Sequence, residues 1–143
     1  MTREWQIDAA VLIPGEAEAE ALVLGDTLSF WGGFDPVEGK IVDVHHPQSG
    51  TRVEGSVLCI PHSKGSAGTP GGIAETLRRG SGPRAFVLGE RDVNISVGTL
   101  VANRLYDLSV PVVQLTHDQL AGLSSGDRIR IDRGGRITVR RGD

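Results

Sequence analysis

Three short apolar runs joined by two stretches of helical character constrain this chain more than any other feature. Ser56 to Ile60, Ala85 to Leu88 and Val110 to Leu115 each read as a strand, and the middle one is apolar throughout, as a strand covered on both faces must be. Between the first two, a helix is predicted over Ile73 to Arg79, ended by the break Ser81-Gly82-Pro83. Between the second and third, apolar residues at Val93, Val97, Leu100, Val101 and Leu105 recur at helical spacing. Strand, helix, strand, helix, strand with short links is the pattern of a parallel sheet with crossover helices.

On either side of this βαβ-type middle the chain reads as β. Glu16 to Leu24 alternates acidic with apolar residues; Ala and Glu favour helix by propensity, but the period of two favours a strand with one charged face. Trp5 to Ile13 has a mixed pattern, and Ile41 to Val44 reads as a short strand before His45-His46-Pro47. Near the end, Thr116 to Gln119 opens a helical turn, Arg128 to Asp132 alternates charged with apolar, and Gly134-Gly135 turns into Arg136 to Val139, a β-hairpin on a half-buried sheet. The expected fold class is α/β: a β/β/α layered domain with a β-hairpin end, forming one domain over residues 1–143 without internal repeat or dividing linker.

Charge and composition exclude several partners. A net charge of −3, with basic residues interspersed apart from the Arg-rich tail, leaves no footprint for nucleic acid. No apolar run approaches the roughly 20 residues that cross a bilayer, and the N-terminus lacks a basic region followed by an apolar one, so no membrane association and a cytoplasmic location are expected. The single cysteine, Cys59, sits within an apolar run and reads as a small core residue. The histidines at 45, 46, 62 and 117 show no ligand spacing and no accompanying carboxylate cluster, so no metal site is expected in this chain.

The chemistry concentrates in Pro61 to Gly72, PHSKGSAGTPGG, where the first strand empties into glycines and hydroxyls ahead of a helix. Free backbone N–H groups at a helix start, with a hydroxyl at Ser66 and the cation of Lys64, suit carboxylate or phosphate oxygens. The context of Ser66 is not the G-x-S-x-G elbow of hydrolases, because Lys64 stands two residues before it, and Lys64 precedes the glycines where a Walker lysine closes them. Two readings stay open on residue chemistry: a site, or a glycine-rich connection in which Ser66 caps the helix. The block around Trp31-Gly32-Gly33-Phe34 is equally two-sided, either a hairpin with Trp31 and Phe34 as a hydrophobic plug or a wall of a ligand site.

The succession Leu28-Ser-Phe-Trp-Gly-Gly-Phe-Asp-Pro36, Gly39-Lys-Ile-Val-Asp43, His46-Pro47, Gly55-Ser-Val-Leu58, Pro61 and Lys64-Gly65-Ser66, continued by Gly98-Thr-Leu-Val-Ala102 and Pro111-Val-Val113, resembles the swivel domain of the aconitase X family. The resemblance covers most of the chain and implies a swivelling β/β/α domain of a hydro-lyase, which in that family is either fused to a large catalytic domain or, as is expected at this length, made as a separate small subunit. It implies a small hydroxy-acid substrate, such as cis-3-hydroxy-L-proline or 5-phosphomevalonate, and a large aconitase X-type catalytic subunit that carries an iron or iron–sulfur centre. By position, Ser66 matches the serine base of the swivel loop, and Lys64, Gly65, Ala67, Gly68, Trp31, Gly32 and Gly33 would bind substrate. The loop departs from related loops at Ala67 through Pro70, where further serines often stand. Phosphohistidine swivel domains have a similar helix-strand end, but they need a histidine at the helix start and residues 92–105 contain none. The other alternative is a non-catalytic anion-binding or scaffold module of the same fold.

Overall fold

The computed structural model describes residues 2–142, and its elements follow in chain order. They are β1 (Arg3–Asp8), β2 (Ala10–Ile13), β3 (Ala17–Val23), β4 (Phe34–Asp35), β5 (Lys40–Ile41), β6 (Val57–Ile60), α1 (Thr69–Arg79), β7 (Ala85–Leu88), α2 (Val93–Tyr106), β8 (Val112–Gln114), α3 (His117–Ala121), β9 (Arg128–Ile131) and β10 (Arg136–Arg141). Eight strands share one sheet in the order β1-β10-β9-β3-β6-β7-β8-β2, while β4 and β5 pair separately. The run β3-β6-β7-β8 is parallel, and the crossovers α1 and α2 supply the connections that parallel strands require. The remaining pairs of the large sheet are antiparallel, β9 and β10 forming the expected hairpin.

β1 and β2 stand at opposite ends of that order yet are consecutive in sequence, joined by Ala9, whose N–H donates to the Gly135 carbonyl at 2.9 Å. The sheet therefore curls on itself and has two cores. Its inner face is filled by alternate residues of the strands, among them Ala19 and Ala21 of β3, Val57 and Cys59 of β6, Ile129, Ile131, Ile137 and Val139. The other set, Leu58 and Ile60 of β6 with Phe86, Leu88 and Val112, meets Ile73 and Leu77 of α1 and Ile95 and Ala102 of α2. β6 and β7 are buried on both faces, which explains why they read as continuous apolar runs. In β3 the period of two prevails over helix propensity because Ala19 and Ala21 point into the curl while Glu18 and Glu20 stay exposed. Cys59 is fully buried, and desolvation pushes its thiol up to about 12, so it stays protonated in the core.

Four departures from the sequence expectations have local causes. α1 begins at Thr69, four residues early, because Pro70 falls in the first turn, where a missing N–H costs no intrahelical bond. The strand expected over Ile41 to Val44 stops at Ile41: the N–H groups of Val42 and Asp43 both donate to the Gly33 carbonyl, and the Asp43 carboxylate accepts from the His45 N–H at 2.9 Å, an Asx turn that ends pairing. Phe30 and Phe34, not Trp31, are the hydrophobic plug; both are buried with ring centroids 5.4 Å apart, and Trp31 is exposed.

The fourth departure concerns α2, whose apolar residues Val93, Val97, Leu100, Val101 and Leu105 all lie on its exposed face. Its inner face is Ile95, Gly98, Thr99 and Ala102. Small residues are needed there because α1 crosses closely: a Cβ added at Gly98 would come within 2.7 Å of both Ile73 Cβ and the Pro70 carbonyl oxygen.

Candidate active site

The segment from Pro61 to Gly68 leaves the C-terminal end of β6 and enters α1. Its root is pinned on two sides. The Ser63 N–H and Oγ–H both donate to Asp92 Oδ2 at 2.7 Å, while Asp92 Oδ1 accepts the Ile95 N–H at 3.0 Å and so caps α2. On the other side Ser63 bridges to Leu28, and the Lys64 N–H donates to the Leu28 carbonyl at 3.0 Å. Asp92 and Ser63 are both buried, and pairing with each other satisfies them.

From this root the chain presents Ser66 half-buried. The Ser66 hydroxyl oxygen accepts the Gly68 N–H at 3.2 Å, and the Ser66 carbonyl accepts the Thr69 N–H at 3.1 Å. The N-cap of α1 is Gly68, without a side-chain cap, so Ser66 is not the capping residue. Among the described residues no acceptor takes the N–H groups of Gly65, Ser66 and Ala67. A donor aimed at the Ser66 oxygen lowers the cost of charge there, and unpaired N–H groups beside it suit an anion.

Trp31 lies over this loop. A Cβ added at Gly68 would sit 2.5 Å from Trp31 Cδ2, so glycine is required for the indole to rest on the backbone. The Ser29 hydroxyl fixes the approach, accepting from the Trp31 N–H at 3.2 Å and donating to the Trp31 carbonyl at 2.9 Å. Lys64 reaches Asp43 at 3.7 Å, and Asp43 is tied in turn to the Gly33 carbonyl through its own N–H. The hydrogen bond from the His45 N–H is the main cause that holds the Asp43 carboxyl below its ordinary value, with Lys64 adding to it.

Lys64, Gly65, Ser66, Ala67, Gly68, Trp31 and Gly33 thus form one connected patch, whereas at Gly32, in a turn with φ of +98°, an added Cβ would meet nothing within 4 Å. Sequence reasoning missed Asp43, Ser63 and Asp92. Asp92 carried a signal, an Asp just ahead of an apolar helix, but its link to Ser63, 29 positions away, had none.

A cleft of about 670 Å³ is lined by Glu16, Glu18, Glu54, Arg84 and Leu108 among others and includes no residue of the Ser66 loop. The loop is an open surface in this chain. Among the described residues no three His, Cys, Asp or Glu side chains gather to hold a metal ion.

A curled sheet backed by two crossover helices, with a serine-bearing loop at the mouth of one parallel strand, defines a swivelling β/β/α domain. The chain belongs to the aconitase X swivel domain family, whose description matches residues 6–139. It is 33% identical over 131 residues to a cis-3-hydroxy-L-proline dehydratase of Hypocrea jecorina, covering 92% of this chain and 22% of that protein. It is 32% identical over 121 residues to the phosphomevalonate dehydratase small subunit of Pyrococcus furiosus, covering 85% of this chain and 84% of that one. The crystal structure of Thermococcus kodakaraensis aconitase X in its holo-form superposes with a TM-score of 0.83 at 25% identity, covering 94% of this chain and 97% of that chain. The chain therefore spans about a fifth of the long dehydratase it matches and most of the small subunit.

Proposed function

We propose that this chain is a single swivel domain acting as the small subunit of an aconitase X-type hydro-lyase, working in the cytoplasm with a large partner chain that carries the iron centre. The observation that supports this reading most is the family match over residues 6–139, joined by 32% identity that runs through 84% of a dehydratase small subunit. The substrate is a small hydroxy acid of the cis-3-hydroxy-L-proline or 5-phosphomevalonate type.

The chemistry assigned to this chain is proton abstraction. Ser66 Oγ takes the proton α to the substrate carboxylate, and the Gly68 N–H that it already accepts stabilises the oxygen while it is anionic. The unpaired N–H groups of Gly65 to Ala67 hold the carboxylate, Lys64 adds a positive charge on the side of Asp43 and Gly33, and Trp31, resting on Gly68, forms a wall. The open surface around Ser66 must be closed by the partner for that base to act, because an alkoxide in bulk water is quenched.

Reconstitution tests the proposal: the purified chain is mixed with the large aconitase X-type chain of the same genome, iron is assayed, and dehydration is followed on hydroxyprolines and phosphomevalonate. Activity only in the mixture, with iron on the large chain, is expected. Dehydration by this chain alone overturns the two-chain reading, and stable assembly without turnover of any hydroxy acid favours the scaffold role.

A further inference from the structure

The outer face of α2 is an apolar stripe with no partner in this chain. Val93, Val97, Leu100, Val101 and Leu105 lie along it, between 40% and 67% exposed. From Val93 to Asn103 the helix carries no charged residue at all. A helix that faced water permanently would carry charges on that side. Arg104 is the first charge on this face, and the contiguous apolar surface ahead of it has the composition of an interface core.

We propose that this face docks the large catalytic chain of the dehydratase, an inference that rests on the functional reading above and names the surface it uses. Three observations point to that occupant. The long relative carries the matching region as 22% of one chain, and the small subunit carries it as 84% of a separate chain, so the same domain must meet the remaining catalytic part durably in either arrangement. Durable interfaces are the apolar ones. The stripe also begins at Val93, next to Asp92, whose carboxylate holds the root of the Ser66 loop through Ser63. The N-terminal end of the stripe therefore borders the root of the candidate site. A second copy of this chain would bring no metal-holding cluster to that border, judged from the described residues, whereas the catalytic chain supplies one under the functional reading.

The test measures affinity between the two purified chains by calorimetry, with wild type and the double variant Val97→Glu, Leu100→Glu. The expected result is a Kd weakened at least about 100-fold while circular dichroism stays that of the parent. Should the double variant fold poorly, the truncations Leu100→Ala and Leu105→Ala are expected to weaken Kd about 10-fold each. Glu75→Gln, on the outer face of α1, serves as the control and is expected to leave Kd within about twofold. Binding of a folded α2 variant at wild-type affinity overturns the docking assignment while leaving the functional reading intact. Sedimentation of the lone chain as a dimer that the variant dissolves, with binding to the large chain unchanged, assigns the face to a second copy and also overturns it. Failure of the wild-type chain to bind the large chain removes the functional reading itself.

Discussion

α1 and α2 lie side by side on the same face of the same sheet, yet they are built in opposite senses. α1 is conventionally amphipathic: Ile73 and Leu77 point into the core, and outside Glu75 accepts from Arg78 Nε and Nη2 at 2.9 and 2.6 Å and from Arg79 Nε at 2.9 Å. α2 turns its small residues inward and its large apolar residues out. Their N-termini differ too, since Asp92 caps α2 whereas α1 starts at Gly68 with no side-chain cap. The lesson is a division of labour. α1 starts against Ser66, which accepts the N–H groups of Gly68 and Thr69, and α2 anchors the loop on one side and offers a contact face on the other.

The largest effect expected from disturbing this contrast is at the seam between the helices. Gly98→Leu forces a side chain against Ile73 and the Pro70 carbonyl and is expected to cost about 3 kcal/mol in urea unfolding, more than any outward-facing change on α2. Next comes the cap: Asp92→Ala removes the bonds to Ile95 and to Ser63, with an expected loss of about 2 kcal/mol. It should also speed amide hydrogen exchange at Ser63 and Lys64, whose N–H groups are bonded at the loop root, which a helix-end effect alone would leave unchanged. The smallest effect is the pH response of the outer faces. Hydrogen bonding from Arg78 draws the Glu75 carboxyl down to about 2, below its unfolded value near 4.3. Its stabilising effect is therefore complete above about pH 4.3 and is lost as pH falls toward 2, a small change because the pair is exposed. Acid titration of Glu75→Gln should lack that component. The outer face of α2, with no charged residue from Val93 to Asn103, contributes nothing comparable.

Much of the fold was legible because short apolar runs and short links leave few ways to connect parallel strands. β6, α1, β7, α2 and β8 all appear where the periodicity places them, within a few residues at their ends. What periodicity cannot show is which side of a helix faces in when close helix crossing demands Gly98 and Ala102 and relegates Val97 and Leu100 to the surface. The curl was hidden for a related reason, since only pairing across the whole chain reveals that β1 and β2 close the order. At the candidate site, the loop from Lys64 to Gly68 announced itself through composition and resemblance. Asp43, Ser63 and Asp92 did not, because each works through a partner remote in sequence or through a turn, and Trp31 could be assigned to a plug until its contact with Gly68 was seen.

The most direct test is the dehydration rate of the reconstituted complex carrying Ser66→Ala, with assembly and iron content measured alongside. With Ser66 as base, turnover falls by about 10²- to 10⁴-fold while assembly and iron loading stay those of the parent. Turnover within about twofold of the parent would contradict the assignment and move the base off this chain.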